Sequence, residues 1–390
     1  MYFCQKYGSK SAKKRMHIYL HIPFCKQACY YCDFHFSTSL SQKEAMIDAI
    51  CQEIYLQKHY LKKTSISTVY FGGGTPSILD ETSLHAIFSA LHQTFIILPE
   101  AEITLEANPD DITSEKLRMF KKFGINRLSI GIQSFHEPHL LQMNRAHNAK
   151  EAETCVQLAQ DAGIDNITID LIYAIPSPSH EILYADLAKI EALNLRHVSA
   201  YCLTIEPQTV FGKWTKQGKM PNIDDDFSAE QFSILVKTLQ DMGYEQYEIS
   251  NFARNQHYSK HNTSYWKQEE YLGIGPSAHS FNEHSRQYNI ANNTKYIQQI
   301  NQGVIPATLE YLSKEDQINE YLLTGLRTIW GCNIEYLDNL LGSSFIELQK
   351  NFLQPIFNAG HIEIQQQSLK LTQAGKLFAD RIASDLFIES

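Results

Sequence analysis

The sequence predicts an α/β protein: a parallel sheet built from six strand-then-helix repeats, followed by a small C-terminal helical, winged-helix-like domain. Three observations carry this. Short apolar runs alternate with helical stretches from His17 to about Leu203. The chain between successive runs is long enough for a crossover, which parallel neighbours require. Near Pro306 the pattern changes to helices followed by a strand pair. The 390 residues then divide into a basic arm over 1–16, a large domain over 17–305 and a small one over 306–390.

The expected strands are His17–His21, Thr68–Phe71, Glu102–Glu106, Arg127–Gly131, Asn166–Ile172 and His197–Leu203. Between them lie helical segments at Gln42–Tyr60, Asp80–His92, Ser114–Phe123, Ala149–Ala162 and His180–Leu193. Thr113 or Ser114 can cap the third of these, with Glu115 close behind, and Gly124 and Gly163 follow helix ends. A sixth helix is expected over Ser228–Met242, where Phe232, Leu235, Val236 and Leu239 share one face. The preceding run Asp224–Asp226 reads as a solvated loop. Asn251–Phe281 is rich in Asn, Tyr, His and Gly, shows no sustained period, and reads as a long functional loop within the large domain. Beyond Pro306, helices are expected over Glu315–Thr328, Ile334–Leu341 and Phe345–Asn358. Strands at Gly360–Ile364 and Leu369–Thr372 follow, then a last helix over Gln373–Phe387 opened by Thr372.

Composition excludes several classes. A hydrophobic share of 43% with 20% charged residues is that of an ordinary well-cored protein. The net charge of −9 supplies no basic field for nucleic acid or acidic lipid, and the small domain lacks a basic recognition helix. Lys6, Lys10, Lys13, Lys14 and Arg15 form a basic arm without the apolar core of a signal peptide, which reads as a short solvated segment. No run of about 18 apolar residues occurs, which speaks against a spanning helix. Five of the eight cysteines are scattered among apolar neighbours, so a reducing, cytoplasmic compartment is expected.

Chemistry concentrates where loops leave the strands. Cys25, Cys29 and Cys32 follow the first strand with spacing Cys-x3-Cys-x2-Cys, enough for three irons of a cubane with one iron left open. Gly72-Gly-Gly-Thr-Pro76 follows the second strand and lets backbone N–H groups approach a carboxylate or phosphate, although a tight turn alone would also explain it. Glu106 ends the third strand, Gln133 follows the fourth, Asp170 lies in the fifth, and Arg145 precedes the fourth helix. Carboxylates suit an ammonium or sugar hydroxyls; Gln and Arg suit carboxylate and carbonyl oxygens. Each alone reads equally well as a salt-bridged rim residue. For the cysteines, the rival reading is a zinc site completed by His35.

These motifs together resemble the radical S-adenosylmethionine (SAM) superfamily. The string from His21 to Cys32, Glu106-Ala-Asn-Pro109 and Gly131-Ile-Gln-Ser-Phe135 narrow the resemblance to the oxygen-independent coproporphyrinogen III oxidase-like group. The dehydrogenases of that group look like Cys-x3-Cys-x2-Cys-x-Cys, whereas this chain has Asp33 and Phe34 after Cys32. It resembles instead the heme chaperone branch, which also carries a motif matched by His261-Asn-Thr-Ser-Tyr-Trp266.

The resemblance implies a partial (β/α)6 barrel. It implies a [4Fe–4S] cluster on Cys25, Cys29 and Cys32, with SAM contacted by Tyr19, Tyr31, Gly73, Gly74, Thr75, Glu106, Gln133, Arg145 and Asp170. It further implies heme as cargo with His261 as candidate axial ligand, flanked by Tyr265 and Trp266. The partners implied are a heme-acceptor protein and an electron donor, with the basic arm available for peripheral contact with a membrane-bound partner. The alternative is a coproporphyrinogen III dehydrogenase that abstracts hydrogen with a 5′-deoxyadenosyl radical.

Overall fold

Residues 16–62 and 65–389 are described by a computed structural model, so the basic arm, apart from Met16, lies outside the described residues. The expected alternation is present. Strands β1 (Met16–Ile22), β2 (Ser65–Gly73) and β3 (Ile96–Ala107) are separated by α1 (Lys43–Leu56) and α2 (Glu81–Thr94). Then come α3 (Ser114–Lys122), β4 (Arg127–Gln133), α4 (Glu137–Gln142), α5 (Ala149–Asp161) and β5 (Ile167–Tyr173). Next are α6 (Glu181–Ala192) and β6 (His197–Cys202). All neighbours from β1 to β6 pair in parallel, in sequence order. Thr113 caps α3 by accepting from the Lys116 N–H, and Asn148 with Glu151 forms a reciprocal capping box on α5. β3 starts at Ile96 rather than Glu102: Pro99 falls in the irregularity between the Ile66–Ile97 and Thr68–Glu102 pairs, where no ladder bond needs its missing N–H.

The strands are two-sided. Ile18, Leu20, Val69, Phe71, Ile103, Leu105, and their counterparts in β4 to β6, join the main core with the helices. The alternate positions are polar, as the period of a strand requires: Tyr70 meets Glu106, Thr168 meets His197, and Ser199 meets Asn251. The concave face of the sheet is therefore a polar interior whose carboxyl end is open.

The sheet continues past both ends of the six. Helices α7 (Val210–Lys216) and α8 (Asp225–Asp241) lead to the hairpin β7 (Glu245–Glu248) and β8 (Asn251–Ala253), which adds antiparallel beside β6. Asp224–Asp226 opens α8 instead of forming a solvated loop: the Asp224 carboxylate accepts from the Phe227 N–H, and all three acids sit at the positive helix end. Asn251–Phe281 is likewise no loop. It forms β8, α9 (Lys260–Trp266), β9 (Tyr271–Ile274) and β10 (His279–Phe281), pieces too short to show a period. β9 lies parallel to β1, and β11 (Ser285–Asn289), α10 (Asn293–Asn301) and β12 (Ala307–Tyr311) complete that side. Twelve strands result among the described residues, in the order β12-β11-β10-β9-β1-β2-β3-β4-β5-β6-β8-β7. By pairing, β12 belongs to this sheet although it follows the change at Pro306.

The C-terminal unit has its own core, including Leu322, Leu337, Phe345, Leu353, Leu369 and Leu386. Its elements are α11 (Lys314–Gly325), β13 (Cys332–Asn333), α12 (Ile334–Leu341), α13 (Phe345–Leu348), α14 (Lys350–Asn358), β14 (Ile362–Gln365), β15 (Ser368–Leu371) and α15 (Ala379–Asp385). The strands form a small sheet in the order β13-β15-β14. The helix expected over Phe345–Asn358 breaks at Gln349, and a 3₁₀ turn over Gly375–Phe378 shortens the last helix. Arg286 to Glu320 (2.7 Å) and Arg327 to Glu248 (3.1 Å) tie the unit to the large sheet. No helix of the described residues is long and apolar enough to cross a membrane.

Candidate functional site

The cysteine loop and the glycine loop leave adjacent parallel strands and lock together through backbone. Gly74 N–H donates to Ile22 O (2.8 Å) and Thr75 N–H to Phe24 O (2.7 Å). Only glycine permits this approach at 74, since a Cβ there would lie 2.6 Å from Phe24 O and 2.8 Å from Ile22 O. At Gly73 the backbone is left-handed (φ 105°), and a Cβ would meet the His21 ring at 2.6 Å. The cysteine loop is further held by Cys25 N–H to Ser37 O and Tyr30 N–H to Met143 O, main-chain bonds that do not pass through its thiols.

Both loops open on a cavity of about 460 Å³ at the carboxyl ends of the strands. Cys25, Cys29 and Cys32 line one wall, and Tyr31, Gly73, Gly74, Thr75, Glu106, Gln133, Arg145 and Asp170 line the rest. Eleven of the residues named for the cluster and SAM are thereby brought together, counted from that lining. Tyr19 is not among them. It points from β1 into a second cavity of about 510 Å³, with its hydroxyl 3.1 Å from His21 Nδ1. The reason is register: Tyr19 pairs with Tyr70, well below the strand ends where the cysteines lie.

Arg145 organises the first cavity. Its Nη1 donates to Cys29 Sγ (3.1 Å) and Tyr31 OH (3.3 Å), its Nη2 to Asn108 Oδ1 (2.6 Å) and Gly131 O (2.7 Å). Burial works against its charge, but Tyr31 and Cys29 hold the guanidinium protonated above its ordinary range. Burial pushes the Cys25 thiol up and Cys32 to about 11, with the other cysteines adding to it. Glu106 accepts from Tyr70 OH (2.8 Å) and Gly73 N–H (3.2 Å). Burial, opposed by these bonds and reinforced by Asp170, raises its carboxyl to about 7; burial raises Asp170 to about 6 against the pull of Arg145.

The donor set fits an iron–sulfur cluster with an amino-acid ligand. Three free thiols share one wall, and Arg145 Nε is buried without a hydrogen-bond partner. Among the described residues no three His, Cys, Asp or Glu side chains converge on one metal position. A cubane takes one cysteine per iron and asks for no such convergence, whereas a single zinc does. His35 is turned away from the thiols, its Nε2 2.7 Å from Asn293 Oδ1. Asn108, which holds Arg145, and Ser129 on the cavity wall were not anticipated; the polar alternation within the strands is the signal that marks Ser129.

His261 does not occupy a ligand position. It is fully buried at the amino end of the strands, where α9 closes the interior. Its Nδ1 lies 2.6 Å from Thr68 Oγ1, its Nε2 2.8 Å from Tyr265 OH, and its N–H donates to Glu102 Oε1 (3.1 Å). Thr68 also meets His17 Nδ1 (2.9 Å), whose Nε2 meets Glu269 (2.8 Å). Both ring nitrogens are thus engaged in the interior, an arrangement that presents neither of them to a heme iron. Trp266 packs edge-on against Tyr247, away from the second cavity, while Tyr265 lines it.

Residues 19–187 match the radical SAM superfamily, so the cysteine cavity is that of a radical SAM protein. Similarity then extends over nearly the whole chain. Heme chaperone HemW of Bacillus subtilis (strain 168) is 32% identical over 369 residues, 93% of this chain and 97% of its own. Heme chaperone HemW of Lactococcus lactis subsp. lactis (strain IL1403) is 33% identical over 364 residues, 92% and 93% of the two chains. The chain belongs to the HemW heme chaperone family. Its fold is shared with the coproporphyrinogen III oxidase HemN of Escherichia coli, a radical SAM enzyme: TM-score 0.83 at 22% identity, covering 96% of this chain and 90% of that one.

Proposed function

We propose that this protein binds heme and passes it to an acceptor protein, carrying a [4Fe–4S] cluster on Cys25, Cys29 and Cys32 with SAM beside it. The observation that carries the reading is full-length similarity to heme chaperones, on a chain whose cysteine loop continues as Asp33-Phe34 without a further cysteine. Held by Cys25, Cys29 and Cys32, such a cluster would supply single electrons to a SAM bound beside it. This chain's own residues do the rest. Glu106 and Asp170 offer carboxylates to the ammonium and hydroxyl groups of SAM, Arg145 and Gln133 offer donors to its oxygens, and the Gly73–Thr75 backbone lines its approach. A basic arm ahead of β1 suits contact with an acceptor at an acidic surface.

The alternative, porphyrinogen turnover, is separated by one comparison. Anaerobically reconstituted protein is titrated with hemin and, in parallel, incubated with coproporphyrinogen III, SAM and a reductant. Heme uptake without decarboxylated product is expected. Product formation with no heme uptake would replace the chaperone with an enzyme.

SAM binding should depend on pH in a stated direction. An ammonium needs the ionised form of Glu106, whose carboxyl sits at about 7 beside Asp170, Tyr70 and the Gly73 N–H. Affinity therefore rises with pH across that value, by about tenfold between pH 6 and 8 for one such group. Isothermal titration of SAM into the reconstituted Glu106→Gln variant should give a shallower profile, leaving only the contribution of Asp170. A profile as steep as that of the unaltered protein would remove Glu106 from the site.

A further inference from the structure

The second cavity is comparable in size to the first and is absorbed by neither cluster nor SAM. It lies on the concave face where β1 continues into β9, β10 and β11, and α11 of the C-terminal unit closes its far side. Flat rings wall it: Tyr19 from β1, Tyr265 from α9, Tyr271 from β9 and Phe281 from β10. Tyr271, Phe281 and Arg286 are register partners across three adjacent strands, and His279 stands two residues from Phe281 on the same face of β10. A volume of about 510 Å³ falls in the range that encloses a cofactor-sized ligand.

Three histidines line this space, and two are committed. His21 Nε2 donates to His35 O (2.9 Å) and its Nδ1 accepts from Tyr19 OH; His35 Nε2 is held by Asn293. His279 is different. Its ring is exposed and rests on Tyr288 (centroids 5.5 Å apart), and among the described residues no hydrogen bond engages either nitrogen. Beside it Arg286 gives one guanidinium nitrogen to Glu320 (2.7 Å), while its Nε is buried with no partner. One wall thus presents a free imidazole and an arginine with donors to spare, on either side of apolar rings.

We propose that heme lodges in this second cavity, with His279 as an axial ligand to its iron and Arg286 receiving a propionate. The proposal rests on the heme-chaperone reading above and adds the place and the contacts. Imidazole is a common ligand to heme iron, aromatic faces suit the macrocycle, and a guanidinium suits a carboxylate. Glu320 now holds Arg286 as the propionate would, so the two carboxylates compete. Phe34 lines both cavities and stands between the heme and the cluster side.

Hemin titration of the reconstituted full-length chain, followed by its visible spectrum, tests this. His279→Gly is expected to lose the six- or five-coordinate imidazole spectrum and to bind at least tenfold more weakly, and free imidazole should restore the spectrum. Glu320→Gln should bind several-fold more tightly and Arg286→Gln several-fold more weakly. Heme bound by the unaltered chain but with the same spectrum and affinity in His279→Gly would overturn the placement alone, as would a spectrum lost only on Tyr265→Phe. An unaltered chain that takes up no heme would remove the chaperone reading and this site with it.

Discussion

A chain carrying Cys25→Ala, Cys29→Ala and Cys32→Ala should emerge from anaerobic reconstitution without iron, against about four irons per unaltered chain for one cubane. Its visible cluster absorption should vanish while its far-ultraviolet circular dichroism stays unchanged. The separation follows from how the loop is built. Its main chain is tied to Ser37, Met143 and, through the glycine loop, to Ile22 and Phe24, none of which involves a thiol. Iron and absorption retained in the triple variant, or zinc alone in the unaltered protein, would remove the cluster from this loop.

His261→Ala should behave in the opposite way, costing stability and leaving heme affinity per folded molecule intact. The substitution strips partners from Thr68 and Tyr265, and empties a fully buried ring volume where α9 meets β2. An abandoned buried hydroxyl and an unfilled cavity each cost on the order of 1–3 kcal/mol, so a loss of about 2–6 kcal/mol is expected. Urea unfolding should show a lower midpoint, and hemin titration should show the usual spectrum. A variant of unchanged midpoint that no longer ligates heme would return His261 to the iron.

The contrast between these two variants shows where sequence reading succeeds. The six repeats were legible because each strand and crossover is long enough to display its period, and because Gly124 and Gly163 mark helix ends. The cysteine and glycine loops were legible because both are continuous in sequence and their chemistry is local. His261 was not. Its partners Thr68, Glu102 and Tyr265 are set by a helix returning to the foot of the sheet from far along the chain. A motif name carries no information about which end of a strand it will reach. The depth of Tyr19 was hidden for a related reason, since only the register of β1 against β2 shows that it lies below the rim. The strands β8, β9 and β10 escaped notice because three or four residues cannot establish alternation.

The main-chain interlock between the cysteine and glycine loops has a consequence for the life of the protein. A cubane with an open iron is vulnerable to oxygen, and in many small metal domains its loss means unfolding. Here Gly74 and Thr75 hold the receptacle by their amides, bonds that do not pass through a metal, so its main chain should keep its shape whether or not a cluster is seated. A chain built this way should be refilled without first refolding, because the bonds that shape the loop are independent of the thiols' ligands.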